Sequence, residues 1–291
     1  QSSDGALDSF ARAPYIAKEI KRQWRRVGKG PMQIRMGGET LELPVLSADF
    51  SHIERLELFG VRRFGNANAF LKKFPQLNGL IITRCGLTEI PQAIGKMTNL
   101  TSLNLAANNI RLSPQGARIL SALSNLEELY LTNNPLGITP DFSAMPRLRS
   151  LNLRNTQLDQ WPTGLQADTG LNLVDLSDNL LREVPQQYLN PAIEQLDATA
   201  RLNGVTLVEG NRFPADYWQQ FDKYWQRLNQ AKPDLLSSAR DGAFDSGNPR
   251  LEKVRRMYPD KRMHEAREWV WRLGEGADAE LARLELEFNT L

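Results

Sequence analysis

The sequence predicts an α/β solenoid: a curved parallel sheet of short strands, one per repeat, with a helix-plus-hairpin cap at its N-terminal end and a helical cap and extension at its C-terminal end. Three observations carry this expectation. The phrase L-x-x-L-x-L-x-x-N/C/T-x-L recurs as LNGLIITRCGL, LTSLNLAANNI, LEELYLTNNPL, LRSLNLRNTQL and LNLVDLSDNLL, while IERLELFGVRR keeps the apolar positions and loses the Asn. The copies start at 53, 77, 100, 126, 148 and 171, at intervals of 24, 23, 26, 22 and 23 residues. Within each copy two apolar residues, such as Leu103 and Leu105 or Leu129 and Leu131, alternate with polar ones at the period of a strand.

A single such strand cannot bury its apolar face, whereas stacked repeats bury it continuously and pair each strand with its neighbours. Asn108, Asn134 and Asn179 follow the strand at a fixed offset, with Cys85 and Thr156 at the same place. An Asn has both donor and acceptor groups, so it can satisfy backbone groups of adjacent turns where no ladder bond exists.

Taken in order, residues 1–50 are expected to form the N-terminal cap. Ile16, Ile20, Trp24 and Val27 share one helical face, and Lys18, Lys21, Arg22, Arg25 and Arg26 make the other face basic. That basic face reads as a solvated helix surface beside an apolar face with a partner, or as a contact for an anionic surface. MQIRMGGETLEL alternates about Gly37-Gly38, which predicts a hairpin. Residues 51–212 hold the repeats. Their return segments carry Pro91, Pro162 and Pro185, placed away from the sheet because proline cannot donate to a ladder. The longest interval, before Leu126, contains SPQGARILSALSNL, and a helical turn or two is expected there. PAIEQLDATARL reads as helical, and GVTLVEGNRF reads as a last strand with Val205 and Leu207 pointing inward.

Residues 213–235 are expected to be a capping helix, with Tyr217, Phe221, Tyr224 and Leu228 on one face beside Trp218 and Trp225. Residues 236–291 open with a loop, LLSSARDGAFDSGNP, and continue as three helical segments that form an extension or the start of a following domain. The last keeps Leu281, Leu284, Phe288 and Leu291 on one stripe.

Composition narrows the function classes. Against 36 Lys and Arg stand 34 Asp and Glu, so the net charge of +2 gives no general attraction to nucleic acid or membrane. One Cys permits no intrachain disulfide and no thiolate metal cluster. No apolar run reaches the roughly 18–20 residues of a membrane span, and QSSDGALDSF lacks the charged and apolar regions of a Sec signal. Phosphate-binding glycine loops and the nucleophile-elbow motif are absent. Cys85 is the obvious nucleophile, yet it stands at the buried position between repeats without a nearby His in sequence; His52 and His264 have no third ligand at zinc spacing. No catalytic, cofactor or metal site is therefore expected.

The residue between two inward leucines must point away from the core. That position and its flanks give the candidate partner-binding residues Arg55, Glu57, Phe59, Ile81, Thr83, Asn104, Glu128, Tyr130, Thr132, Asn152, Arg154 and Asp175, with Ser177 and Thr206 continuing the series. Phe59, Ile81 and Tyr130 are residue types favoured as interface anchors, so a protein or peptide partner bound by a monomer is expected on the concave face.

The repeats resemble leucine-rich repeats. The order of elements, from WRRVGKG through LSADFSHIERLEL and VTLVEGNRF to DYWQQFDKYWQRL, GNPRLEKVRRMYPD and GADAELARLELEF, is similar to the repeat region of large bacterial, pseudomonad-like toxin and effector proteins that end in a cysteine-dependent ubiquitin-ligase domain. The resemblance implies a secreted protein delivered to a host cytoplasm, a host or bacterial protein as partner, and a ligase domain beyond Leu291. The Cys-x-Asp nucleophile of that domain is not in this sequence, nor are the paired LP motifs of the enteric members.

Overall fold

The structure, a computed structural model, describes residues 16–18, 20–25, 31–35, 43–61, 64–236, 244, 247–273 and 276–290. The chain forms two compact units: residues 1–158 with 162–165, and residues 159–161 with 166–291. The fold class is α/β, with parallel strands stacked repeat on repeat and helices towards both ends of the chain.

Among the described residues of the first unit the strands follow chain order: β1 (Met32–Arg35), β2 (Arg55–Phe59), β3 (Gly79–Thr83), β4 (Ser102–Asn104), β5 (Glu128–Tyr130) and β6 (Ser150–Asn152), each parallel to the next. The register sets like on like: Leu56 against Leu80, Leu80 against Leu103, Leu103 against Leu129 and Leu129 against Leu151, all fully buried. β1 joins the array by setting Met32 and Ile34 beside Leu56 and Leu58. The expected hairpin thus contributes its first strand as one more parallel member, and its turn at 37–38 lies outside the described residues.

Return segments vary without disturbing this register. After Pro91 comes a short 3-10 turn at Gln92–Lys96, and before Leu126 the helix α3 (Pro114–Ser121). Pro114 is preorganised for the first turn of that helix, and Ser113 Oγ accepts the Gly116 N–H at 3.1 Å. Earlier in the unit, α2 (Ala67–Leu71) buries Phe70 and Leu71, and the Phe70 and Phe74 rings pack at a tilt of 36° with centroids 5.2 Å apart. At the N-terminal end the helix α1, residues 16–18 and 20–24, buries Ile16 and Ile20 and exposes Lys18, Lys21 and Arg22. Trp24 is exposed, with its Nε1 donating to the Asp49 carbonyl at 2.9 Å; Val27 and Arg26 lie outside the described residues.

One backbone feature recurs. The residue just before the ladder position is left-handed at Gly60, Arg84, Ala107, Asn133 and Asn155, with φ of 72°, 55°, 56°, 57° and 53°. In the second unit Asp178 and Gly210 repeat it at 56° and 68°. The chain leaves the strand by the same reversal each time, although five of the seven residues are not glycine.

In the second unit β7 (Leu173–Asp175) pairs in parallel with β8 (Thr206–Leu207). The register places Thr206 beside buried Val174 and Leu207 beside Asp175, so the expected phase of the last strand is corrected by one residue. Thr206 points inward with its hydroxyl donating to the Leu202 carbonyl at 2.7 Å, Val208 is fully buried, and Leu207 is half-exposed. Asn211 then takes the ladder position, its amide donating to Leu176 and Val208 carbonyls at 2.9 and 2.8 Å and its oxygen accepting the Leu181 N–H at 3.0 Å.

Helix α4 (Gln186–Leu189), helix α5 (Leu196–Gly204) and the longer α6 (Trp218–Ala231) complete the repeat portion of this unit. α6 buries Phe221, Tyr224, Trp225 and Leu228, and the Tyr217 hydroxyl accepts the Val184 N–H at 2.8 Å. The aromatic residues Phe221, Tyr224 and Trp225 thus pack into the interior, as expected of a capping helix. Three further helices, α7 (Pro249–Met257), α8 (Met263–Leu273) and α9 (Ala277–Asn289), share a core of Leu251, Val254, Met257, Met263, Ala266, Val270 and Leu281. Arg267 is fully buried with its guanidinium 3.7 Å from the Trp225 ring centroid. Trp271 Nε1 donates to the buried Asp222 carboxylate at 3.0 Å.

Candidate functional site

The face of the first unit opposite to its buried leucines is built in rows that run across the strands. One row reads Glu57, Ile81, Asn104, Tyr130 and Asn152 on consecutive strands, and it begins with Gln33 on β1. A second reads Arg55, Gly79, Ser102, Glu128 and Ser150. A third includes Arg35, Phe59 and Thr83. Strand pleating sends these side chains away from the leucines, and Phe59, Ile81 and Tyr130 are each half-buried.

Much of the polar equipment of this face is already engaged. Gln33 Nε2 donates to Glu57 at 2.6 Å, Ser102 Oγ to Glu128 at 2.8 Å, and Thr132 Oγ1 to Asn152 Oδ1 at 2.7 Å. Asn104 and Asn152 turn their carbonyl oxygens back onto the N–H groups of Ala106 and Arg154, both at 3.0 Å, which closes the end of each strand as an Asx turn. The Arg35 guanidinium lies 4.7 Å from the Phe59 ring centroid. Ile81 and Tyr130 flank Asn104 as the large apolar side chains of the row, and the Asn104 side chain is folded back onto the Ala106 N–H.

The structure brings Arg55, Glu57, Phe59, Ile81, Thr83, Asn104, Glu128, Tyr130 and Asn152 onto this one face of the first unit; Thr132 is joined to it by its hydrogen bond to Asn152, and Arg154 is exposed two residues beyond the end of β6. Asp175, expected with them, belongs to the second unit and is 8% exposed. Its carboxylate accepts the Ser177 N–H at 3.0 Å and lies beside Leu207 in the register, so it is withdrawn from solvent. Ser177 and Thr206 are likewise buried, which removes both from the exposed series. Gln33, Arg35, Gly79 and Ser102 belong to the face and were missed. The M-Q-I-R alternation offered the signal for the first two once β1 is read as a parallel strand.

Cys85 is fully buried at the ladder position, and burial pushes its thiol above the usual cysteine range. Its Sγ lies 3.3 Å from the Thr83 carbonyl. Among the described residues no three His, Cys, Asp or Glu side chains are placed to hold a metal ion, and no helix is long and apolar enough to cross a membrane.

Two family patterns match: one described as leucine rich repeat over residues 75–136, the other as leucine rich repeats in two copies over residues 124–166. Residues 75–166 are leucine-rich repeats. Curated relatives of these leucine-rich repeats include a zebrafish (Danio rerio) transforming growth factor beta activator, 32% identical over 44% of this chain and 18% of that protein. Zebrafish keratocan is 31% identical over 48% of this chain and 46% of that protein. Rat (Rattus norvegicus) PH domain leucine-rich repeat protein phosphatase 1 is 33% identical over 33% and 6%. The chain thus spans less than half the length of each of these relatives. Among solved structures, a leucine-rich-repeat protein of Leptospira interrogans aligns with a TM-score of 0.49 at 19% identity, covering 72% of this chain and 55% of that one.

Proposed function

We propose that this chain is a protein-binding module that takes its partner on the exposed sheet face of the first unit, centred on Ile81 and Tyr130. The observation that supports the reading is the row itself. Two half-buried apolar side chains flank an Asn whose side-chain oxygen is already engaged by the Ala106 N–H, and around them stand Arg55, Glu57, Phe59, Thr83, Glu128, Thr132, Asn152 and Arg154. The partner is a protein, a host protein among the candidates, and the module acts as a monomer without a cofactor.

A photo-cross-linking residue placed at 130, compared with one at the exposed Gln92 in a return segment, tests this directly. A partner trapped from position 130 and not from 92 supports the sheet face. Equal trapping from both positions, or from 92 alone, overturns it.

The narrower reading, a secreted bacterial effector whose repeats select substrates for a cysteine-dependent ubiquitin ligase, is supported by the order of sequence elements and not by the relatives named above, which are animal proteins. The parent gene beyond residue 291 decides it: a Cys-x-Asp in a helical context favours the ligase, and its absence removes it.

A further inference from the structure

Arg55 is exposed at the edge of the proposed binding face, and its side chain lies flat across its neighbour on β3, which is a glycine. A Cβ built on Gly79 would come within 3.3 Å of Arg55 Nε, 3.4 Å of Cγ and 3.6 Å of Cζ. The missing side chain is thus the seat of the guanidinium. The next residue in that row, Ser102, is small, and its hydroxyl is directed at Glu128. Arg55 therefore holds its planar fork over open, low-lying sheet, beside the row that carries Ile81 and Tyr130.

The other charges of this neighbourhood are spoken for. Glu57 accepts from Gln33, Glu128 accepts from Ser102, and Arg35 stacks on Phe59. Arg55 makes no ion pair among the described residues. A guanidinium held in one plane presents parallel N–H donors that match a carboxylate in bidentate fashion. Ile81 and Tyr130 stand two strands apart, roughly 9–10 Å, with the folded-down Asn104 between them. The Arg55 row and the Ile81 row are two residues apart along the strands, roughly 6.6 Å.

We infer that the partner of this face is a peptide segment carrying an Asp or Glu close to a large apolar residue, its carboxylate received by Arg55 and its apolar side chain lodged between Ile81 and Tyr130. This rests on the sheet face being the binding surface. The Arg55 seat over Gly79 and the position over Asn104 lie one strand and two residues apart, roughly 8 Å, within side-chain reach of residues i and i+2 of an extended segment, so the acidic and apolar residues face the sheet from the same side of the peptide. Glu128 and Glu57 flank the same area and disfavour a second acidic residue beside the apolar one.

The test is selection of a random peptide display library on the full chain. Enriched peptides should share an Asp or Glu near Leu, Phe, Tyr or Trp. Their affinity should fall about tenfold or more on Arg55→Glu, and selection on Arg55→Glu should replace the acid with Lys or Arg. Gly79→Val keeps the charge but lifts the guanidinium from its seat, so it should weaken the same peptides severalfold; an unchanged circular dichroism spectrum and melting temperature show that each variant is folded. If the peptides lack an acid, or ignore Arg55→Glu while failing on Tyr130→Ala, the carboxylate anchor is wrong and the binding face stands. If they ignore both substitutions, or no peptide is enriched, the face itself is overturned with it.

Discussion

The side-chain carbonyl of Asn108 accepts the Cys85 N–H at 2.9 Å while its amide donates to the carbonyls of Ile82 and Leu105 at 2.7 and 2.8 Å. One side chain thereby fastens two adjacent repeats beyond the end of the strand ladder. Asn134 repeats the arrangement with the Ile110 N–H and the Leu105 and Leu131 carbonyls. Asn108→Ala strands these backbone groups in a buried setting and is expected to cost about 1–3 kcal/mol, read as a lower denaturant midpoint at constant slope. Asn108→Thr should lie between the two, because the Thr156 hydroxyl at the equivalent place reaches its own repeat's Leu153 carbonyl at 2.6 Å.

Cys85 should resist Ellman's reagent in the folded protein and react fully once denatured; rapid labelling at neutral pH would contradict its burial. Burial raises the folded thiol above its ordinary 9.0. Its contribution is therefore fully present below about pH 9 and is lost as pH rises through the folded value, since only the unfolded chain gains from ionising there. The difference in denaturant midpoint between the wild type and Cys85→Thr should be constant below about pH 9 and change only in that alkaline window.

Gly210 and Ala107 occupy the same left-handed position in different repeats, and opposite substitutions should have opposite signs. A Cβ on Gly210 would fall 2.2 Å from Asp178 Oδ1 at a φ of +68°. Gly210→Ala should therefore destabilise by about 1–2 kcal/mol or more. Ala107→Gly relieves a strained φ of +56° and should raise stability by up to about 1 kcal/mol, the backbone-entropy cost of glycine offsetting part of the gain. Thermal melts of the two variants check both signs.

Tyr130→Ala and Ile81→Ala should each weaken a partner recovered by cross-linking by roughly tenfold to a hundredfold. Because neither side chain enters the leucine core, the melting temperature should change little. Gln92→Ala and Gln186→Ala, both exposed in return segments, should alter neither quantity. Binding that survives the double change at 81 and 130 but fails when Lys18, Lys21, Arg22 and Arg25 are neutralised would transfer the working surface to α1, with a steep salt dependence.

The strands, the ladder positions and the central row of the site were legible because Leu at period two and Asn at a fixed offset are strong local signals. The last strand misled because Val205, Thr206, Leu207 and Val208 are all compatible with either face; Asn211, three residues after Val208, carried the phase. Gly37-Gly38 announces a turn after β1, but the parallel pairing of β1 with β2 is decided by distant leucines and no local signal carries it. Asp175 looked exposed because its position in the repeat is; that Leu207 stands beside it and its carboxylate folds onto Ser177 is tertiary information. Asn133 and Asn155 are of a type that tolerates a left-handed backbone, but Arg84 and Ala107 at the same position do not announce it.

The helix α3 fills the 26-residue interval between two strands that pair in the same register as their neighbours. Length on the return side is therefore decoupled from alignment on the strand side. Insertions and deletions can accumulate there over evolutionary time while the recognition rows stay in step, but a one-residue change inside Leu126–Asn134 would turn every following side chain of that strand to the opposite face. Whole repeats are the unit in which this surface can be lengthened, shortened or exchanged.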